Sequence, residues 1–153
     1  MADTPNLFAL ESVLLDALRA ALPANVQVGS GANLVGRQNL AGLCPAVLVT
    51  PAESMVGGAD DDPEEGDTVT VEDETWTVTA LVEFVRDRKD LTANFQEAGE
   101  LLGRAYSALQ GLRAPGYRTL VYTGRQPPAP TEQGVCECSI DFTVTRAFAP
   151  VEP

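Results

Sequence analysis

The side chains best suited to chemistry form an acidic cluster in the middle of the chain, comprising Asp60, Asp61, Asp62, Glu64, Glu65 and Asp67. Asp60, Asp62 and Glu64 alternate like the oxygen ligands of a helix-loop-helix calcium site. That motif needs glycine at its sixth position and glutamate at its twelfth, whereas Gly66 is seventh here and Val71 is twelfth. We therefore favour a solvated acidic loop, spanning about residues 53–67, or a loop steered to a partner by its charge.

The three cysteines are the next candidates. Cys136 and Cys138 are two residues apart on a predicted strand, which is too close for a normal disulfide with each other. A metal site would need more ligands, and only Cys44 remains in a chain without histidine. We expect three free thiols that serve structure, in a reducing compartment, because the cysteine count is odd.

Other catalytic motifs are missing from the sequence. Without histidine there is no Ser-His-Asp or Cys-His catalysis. The glycines of Gly29–Gly36 have the wrong spacing for a phosphate loop, and no lysine follows them. None of the 22 acidic residues lies in a context that suggests two carboxylates across a cleft. We predict a protein that is not an enzyme and has no cofactor and no metal.

The charge balance limits the partners. The chain has 153 residues, 10 Lys+Arg and 22 Asp+Glu, for a formal net charge of −12. Specific nucleic-acid binding is not expected, because phosphates would be repelled and Lys89 is the single lysine. The longest apolar runs, Ala46–Val49 and Ala80–Val82, are far shorter than the roughly 20 residues of a membrane span. The acidic start Met1–Asn6 lacks a signal peptide's basic region, so we expect one soluble, unexported domain over residues 1–153.

Two amphipathic helices are predicted. The first begins at Thr4-Pro5, where Thr4 is a capping residue, and ends before Pro23. Its apolar stripe consists of Leu7, Leu10, Val13, Leu14, Ala17, Leu18, Ala21 and Leu22. The second runs from Asp90 to about Gln110, with a core face of Phe95, Ala98, Leu102, Ala105, Tyr106 and Leu109, flanked by Leu91 and Leu101. Gly111 is expected to end it in a left-handed conformation, and Gly99 and Gly103 suggest close packing.

The remaining chain shows strand patterns. The predicted strands are Val26–Val28, Ala46–Thr50, Thr68–Val71, Thr75–Val85, Tyr117–Tyr122 and Val135–Phe148. A turn is predicted at Glu72–Glu74, and a proline-rich loop at about 124–134. Two strands alternate clearly, with inward-facing residues Trp76, Val78, Ala80, Val82 and Phe84 on one and Cys136, Cys138, Ile140, Phe142 and Val144 on the other. Thr77, Thr79, Leu81 and Val85 form the opposite face, which is compatible with a partner.

These elements predict an α+β fold. Two amphipathic helices would pack on one face of a mostly antiparallel or mixed sheet of five to six strands, forming a two-layer sandwich. The second face of the sheet is left to solvent or to a neighbour.

Several short motifs occur in an order that resembles a known family. They are Leu7–Leu22, Pro45–Val47, Trp76–Val85, Phe95–Leu102 with its Ala98-Gly99 pair, Ala108–Leu112, Pro115-Gly116 and Ile140–Phe148. In this order the chain is similar to the small tail terminator, or tail completion, proteins of Mu-like and related long-tailed phages. The resemblance covers most of the sequence.

The resemblance implies a structural virion protein without catalytic residues. Such proteins form rings, typically hexameric, which cap the head-proximal end of the tail tube, stop its growth and offer a surface for joining the head. The implied partners are further copies of the chain, the tail tube protein, a neck or head-completion protein and a sheath terminal ring. Assembly would take place in the host cytoplasm, and DNA would pass through without specific binding. The acidic loop would then face the lumen or a partner.

Two alternatives stay open at this point. A neck or head-completion connector would lie on the other side of the same joint. A small acidic inhibitor that mimics DNA would also explain the charge, although a mimic usually spreads its acids over a surface, and here they are clustered.

Overall fold

The computed structural model describes residues 5–31, 40–57, 69–83, 92–131 and 134–149. The helices are α1 (Leu10–Ala21), a 3-10 helix (Leu40–Leu43) and α2 (Thr92–Leu109). The strands are β1 (Gln27–Ser30), β2 (Ala46–Val56), β3 (Thr70–Glu83), β4 (Val121–Arg125), β5 (Ala129–Pro130) and β6 (Val135–Phe148).

All six strands belong to one mixed sheet. Its order is β1-β2-β3-β6-β4, and β5 also pairs with β6. β1 and β2 are parallel, whereas every other pairing is antiparallel. Both helices pack on the same face, α1 against β1 and β2, and α2 against β3 and β6. The predicted α+β sandwich is therefore confirmed, with six strands and a mixed sheet.

The main core lies between the helices and the sheet. Its members alternate along the strands and recur at helical spacing, and they include Leu10, Leu14, Leu18, Val47, Val49, Trp76, Val78, Ala80, Val82, Ala98, Ala105, Leu109, Cys136, Cys138, Ile140, Phe142 and Val144. The predicted inward faces of β3 and β6 are confirmed for every residue that the structure describes. Phe84, Val85 and Leu91 lie outside the described residues.

The first helix begins later than predicted. Residues 7–9 form a turn, in which the Asn6 side-chain oxygen accepts a hydrogen bond from the Phe8 amide at 2.9 Å. This local bond competes with helix formation, so α1 begins at Leu10 and Leu7 is exposed. Thr4, the predicted cap, lies outside the described residues.

The predicted face of the second helix is confirmed only in part. Ala98, Ala105 and Leu109 are buried, but Phe95 and Tyr106 are each 43% exposed. Small alanine side chains let the helix approach the sheet, so Phe95 and Tyr106 lie at the margins, while Leu102 is partly buried and the flanking Leu101 is buried. The predicted cap Asp90 lies outside the described residues.

The helix glycines differ in their roles. The left-handed conformation predicted for Gly111 is confirmed, with φ +82°. A side-chain carbon added at Gly99 or Gly103 would meet no atom of the described residues within 4 Å, so these residues do not provide the close packing expected there.

Two strands are longer than predicted. The expected turn at Glu72–Glu74 is wrong, because β3 is continuous and all three residues pair with both β2 and β6. β2 extends to Val56, so residues 53–56 belong to a strand and not to the predicted acidic loop. Pro51 is tolerated because β1 pairs only with the first part of β2, up to Val49, and a register shift follows Pro51.

The other strands confirm the prediction to different degrees. The limits of β6 are those predicted, Val135–Phe148. β1 is displaced by one to two residues from the predicted Val26–Val28. β4 begins only at Val121, while Tyr117 makes an isolated bridge to Arg146. The proline-rich loop contains the two-residue strand β5.

Candidate assembly surface

The predicted acidic loop joins β2 to β3. Its residues Asp60, Asp61, Asp62, Glu64, Glu65 and Asp67 lie outside the described residues, so their role as a lumen-facing or partner-facing site stays a prediction. The strands on either side are described up to Gly57, whose amide donates to the Val71 carbonyl at 2.8 Å. Other acidic residues lie within the described parts of β2 and β3, namely Glu53, Glu72, Asp73 and Glu74.

A buried ion pair occupies this end of the sheet. Glu74 on β3 is 4% exposed and Arg146 on β6 is 8% exposed. The Arg146 Nη1 atom lies 3.7 Å from Glu74 Oε1. Neither residue was predicted from the sequence to be functional. The alternation of the strands could have indicated that both residues face the core, because Glu74 is two residues from the inward-facing Trp76 and Arg146 is two residues from the inward-facing Val144.

Arg146 has several further partners. Its guanidinium lies over the rings of Tyr117 and Phe148, at 5.0 and 4.8 Å from the ring centroids. Nη1 donates to the Tyr117 hydroxyl and to the Asn6 carbonyl, both at 2.9 Å. Since Asn6 precedes α1 and Tyr117 follows α2, one arginine connects β6 to two other parts of the chain.

Glu74 is less well satisfied than Arg146. Its Oε2 atom is buried and has no hydrogen-bond partner among the described residues. Burial raises the pKa of the Glu74 carboxyl above its ordinary value, and the positive charge of Arg146 only partly opposes this. Burial likewise raises the pKa of Tyr117. An unsatisfied buried carboxylate oxygen is uncommon in folded proteins and calls for an explanation.

A pocket of about 140 Å³ lies beside Glu74. Its lining is partly apolar and partly acidic, and consists of Leu7, Phe8, Pro51, Ala52, Glu53, Ser54, Glu72, Glu74, Thr75 and Trp76. Leu7 and Phe8 are 50% and 60% exposed. The chemistry of this lining suits a cation on an apolar stem.

The opposite face of the sheet is mostly polar. Hydroxyls and carboxylates of β3 and β6 pair across the strands: Thr77 Oγ1 donates to Asp141 at 2.7 Å, and the hydroxyls of Thr79 and Ser139 are 2.8 Å apart. Thr145 likewise donates to Asp73. The predicted threonine face is confirmed for Thr77 and Thr79, although Leu81 is buried there, in a small cluster with Leu43, Ala46, Leu48 and Val135.

A basic edge lies across the sheet from the pocket. Arg113, Arg118 and Arg125 are exposed and lie between the end of α2 and the end of β4. Because β4 ends the strand order, this segment borders the sheet on the side opposite β1 and β2. Within the described part of the chain, no hydrogen bond or ion pair engages their guanidinium groups.

The cysteines are free thiols, as predicted. The sulfur atoms of Cys136 and Cys138 are 3.7 Å apart in the core. Burial raises the pKa of Cys138 to about 12 and that of Cys44 to about 11, so both stay protonated near neutral pH. Among the described residues, no group of three or more cysteines and carboxylates is arranged to hold a metal ion. None of the helices described is long and apolar enough to cross a bilayer.

Comparisons with known proteins agree with this architecture. A solved structure described as the virion of a native gene transfer agent (GTA) particle contains a similar chain, with a TM-score of 0.57 and 17% sequence identity. The match covers 93% of this chain and 95% of that one, and at this identity it shows a shared fold. No curated protein sequence matches significantly.

The fold of two helices on one face of a six-stranded sheet is thus shared with a virion chain. Residues 3–149 match the family model described as phage tail terminator protein. The chain belongs to this family, which confirms the resemblance found in the sequence. Its role is therefore structural and belongs to the virion tail.

Proposed function

We propose that the chain is one domain that forms a ring at the head-proximal end of a phage tail, where it stops growth of the tail tube and joins the tail to the head. The observation that carries this proposal is the family match over residues 3–149. A hexamer is the expected ring, assembled in the host cytoplasm.

The proposed partners follow from this location. Copies of the chain contact one another, the tail tube protein lies on one side, and a neck or head-completion protein lies on the other. In a contractile tail, the last sheath ring is a further neighbour. An acidic ring suits the passage of DNA, because carboxylates repel phosphates.

Several described features support an assembled state. Large apolar side chains are exposed on β2, on β3 and before α1, among them Met55, Val56, Val71, Leu7 and Phe8. The outer half of β2 and the outer side of β4 also have no paired strand among the described residues. Edges of this kind are normally covered in a mature assembly.

Deletion of the gene from its phage tests the proposal. Loss of a terminator should give tails of uncontrolled length that do not join heads, and a plasmid copy of the gene should restore normal tails. Tails of normal length beside unfilled or leaking heads would favour the neck-protein alternative instead. Normal virions would contradict both roles, and the acidic inhibitor that mimics DNA would then be the remaining hypothesis.

A further inference from the structure

The acidic pocket and Arg118 of the basic edge lie at the same end of the sheet, on opposite sides of it, whereas Arg125 pairs with Ile140 further along β6. Glu72 on β3 pairs with Val56 on one side and with Arg146 on the other. Arg146 in turn bridges to Tyr117, the neighbour of Arg118. The Arg118 amide also donates to the Thr145 carbonyl at 2.8 Å, which fixes its backbone beside β6.

The pocket side of the sheet is open. β1 pairs with β2 only from Ala46 to Val49, and Gly31 lies against Thr50, so the segment from Pro51 to Val56 has no paired strand on its outer edge among the described residues. This segment supplies Pro51, Ala52, Glu53 and Ser54 to the pocket. A ligand can therefore approach the pocket from outside the sheet.

One carboxylate oxygen in the lining of the pocket has no hydrogen-bond donor among the described residues. Glu74 forms part of its lining, is 4% exposed, and leaves Oε2 without a partner among the described residues. Glu53 and Glu72 add two further carboxylates to the lining. A guanidinium presents several donors in a planar fork that matches carboxylates, while its methylene stem suits the apolar side chains Leu7 and Phe8.

We propose that this pocket takes an arginine from the basic edge of a second copy of the chain, so that Arg113 and Arg118 of one copy face Glu53, Glu72 and Glu74 of the next. This inference rests on the proposed ring. The contact joins two different surfaces of identical chains, which is the arrangement that generates rings when the rotation between neighbours closes. It also explains how a chain of net charge −12 can self-associate, since only opposite charges meet at the contact.

Exchanging the charges tests this contact. The acidic side is altered by Ala52→Arg with Glu53→Arg, both at exposed positions, and the basic side by Arg113→Glu and Arg118→Glu. Matched controls on the exposed side of α2 are Glu100→Arg and Arg104→Glu. Thermal unfolding verifies that each variant folds, and sedimentation velocity with negative-stain imaging measures assembly over a range of concentrations.

The wild-type chain and both controls should form rings. Each altered protein alone should need at least about a tenfold higher concentration, because like charges then meet at the contact. An equimolar mixture of the two should restore rings, since each acidic-side variant then alternates with a basic-side variant. Such alternation closes only in rings with an even number of subunits.

Three results would overturn the proposal: wild-type chains that stay monomeric at every concentration, altered chains that assemble like the wild type, or a mixture that fails to recover. If a multiple variant does not fold, the single substitutions Ala52→Arg and Arg118→Glu are mixed in the same way. The gene deletion reports separately on the proposed function. The charge variants could assemble normally while the gene deletion still gives overlong tails. This result would reject the proposed contact but support the terminator role.

Discussion

Arg146 lies 3.7 Å from Glu74, and both side chains are less than a tenth exposed. The pair joins β3 to β6 at the end of the sheet that borders the pocket, and Arg146 also holds Tyr117 and the backbone of Asn6. Burying a charge is costly unless it is paired, so neither residue should tolerate loss of the other.

Replacing Arg146 with methionine should therefore destabilise the protein. We expect Arg146→Met to lower the free energy of unfolding at pH 7 by about 3–5 kcal/mol, because Glu74 would then be a buried and unpaired carboxylate. Urea denaturation measures the change. The double variant with Glu74→Gln should lose less than the sum of the two single changes, and strict additivity would contradict the coupling.

The raised pKa of Glu74 predicts a pH dependence of stability. The unfolded carboxyl loses its proton near the ordinary pKa of 4.5, whereas the folded one keeps it to a higher pH. The folded state thus binds more protons in this window, so the contribution of Glu74 to stability is present below pH 4.5 and is lost as the pH rises through the folded pKa.

Comparison with Glu74→Gln isolates this effect from the other carboxyl groups. The free energy of unfolding of the wild type, minus that of Glu74→Gln, should increase as the pH is lowered from 7 to about 5. A difference that is constant or decreases would show that the Glu74 pKa is not raised.

The exposed helix glycines should be replaceable. Gly99→Ala and Gly103→Ala should each stabilise the isolated subunit by about 1 kcal/mol, because alanine favours the helix and no atom of the described residues lies within 4 Å of the added carbon. Gly111→Ala is the control and should instead destabilise by about 1–2 kcal/mol, since its φ of +82° is left-handed. Thermal unfolding separates the two outcomes, and destabilisation by all three would contradict the interpretation.

The thiols should be countable by a chromogenic thiol reagent. The denatured protein should show three reactive thiols without prior reduction. The native protein at pH 8 should react much more slowly, because the pKa of Cys44 is about 11 and that of Cys138 about 12. A count below three that rises to three after reduction would reveal a disulfide.

The acidic loop should be dispensable for folding. Replacing Asp60–Glu65 with a Gly-Ser linker removes five like charges that repel one another, so we expect cooperative thermal unfolding to persist. Loss of the cooperative transition would mean that the loop packs against the domain. If the variant folds but the phage then makes tails of altered length, the loop takes part in tail assembly.

Much of the fold could be predicted from local patterns. Strict alternation predicted the limits of β6 and the inward face of β3, and helical spacing predicted the buried Leu10, Leu14 and Leu18. The order of elements was sufficient for the two-layer class and for the family resemblance. Strand alternation and helical spacing are local patterns of the sequence, so they can be recognised without knowing which strands pair in the fold.

The candidate assembly surface depended on tertiary structure instead. Three consecutive acids, Glu72–Glu74, indicate a turn when considered alone, yet they form a strand because β2 and β6 pair with them on both sides. The ion pair of Glu74 with Arg146 and the separation of the pocket from Arg118 likewise depend on strand order and register. A sequence determines which side chains alternate, but only pairing between distant strands determines which charges become neighbours.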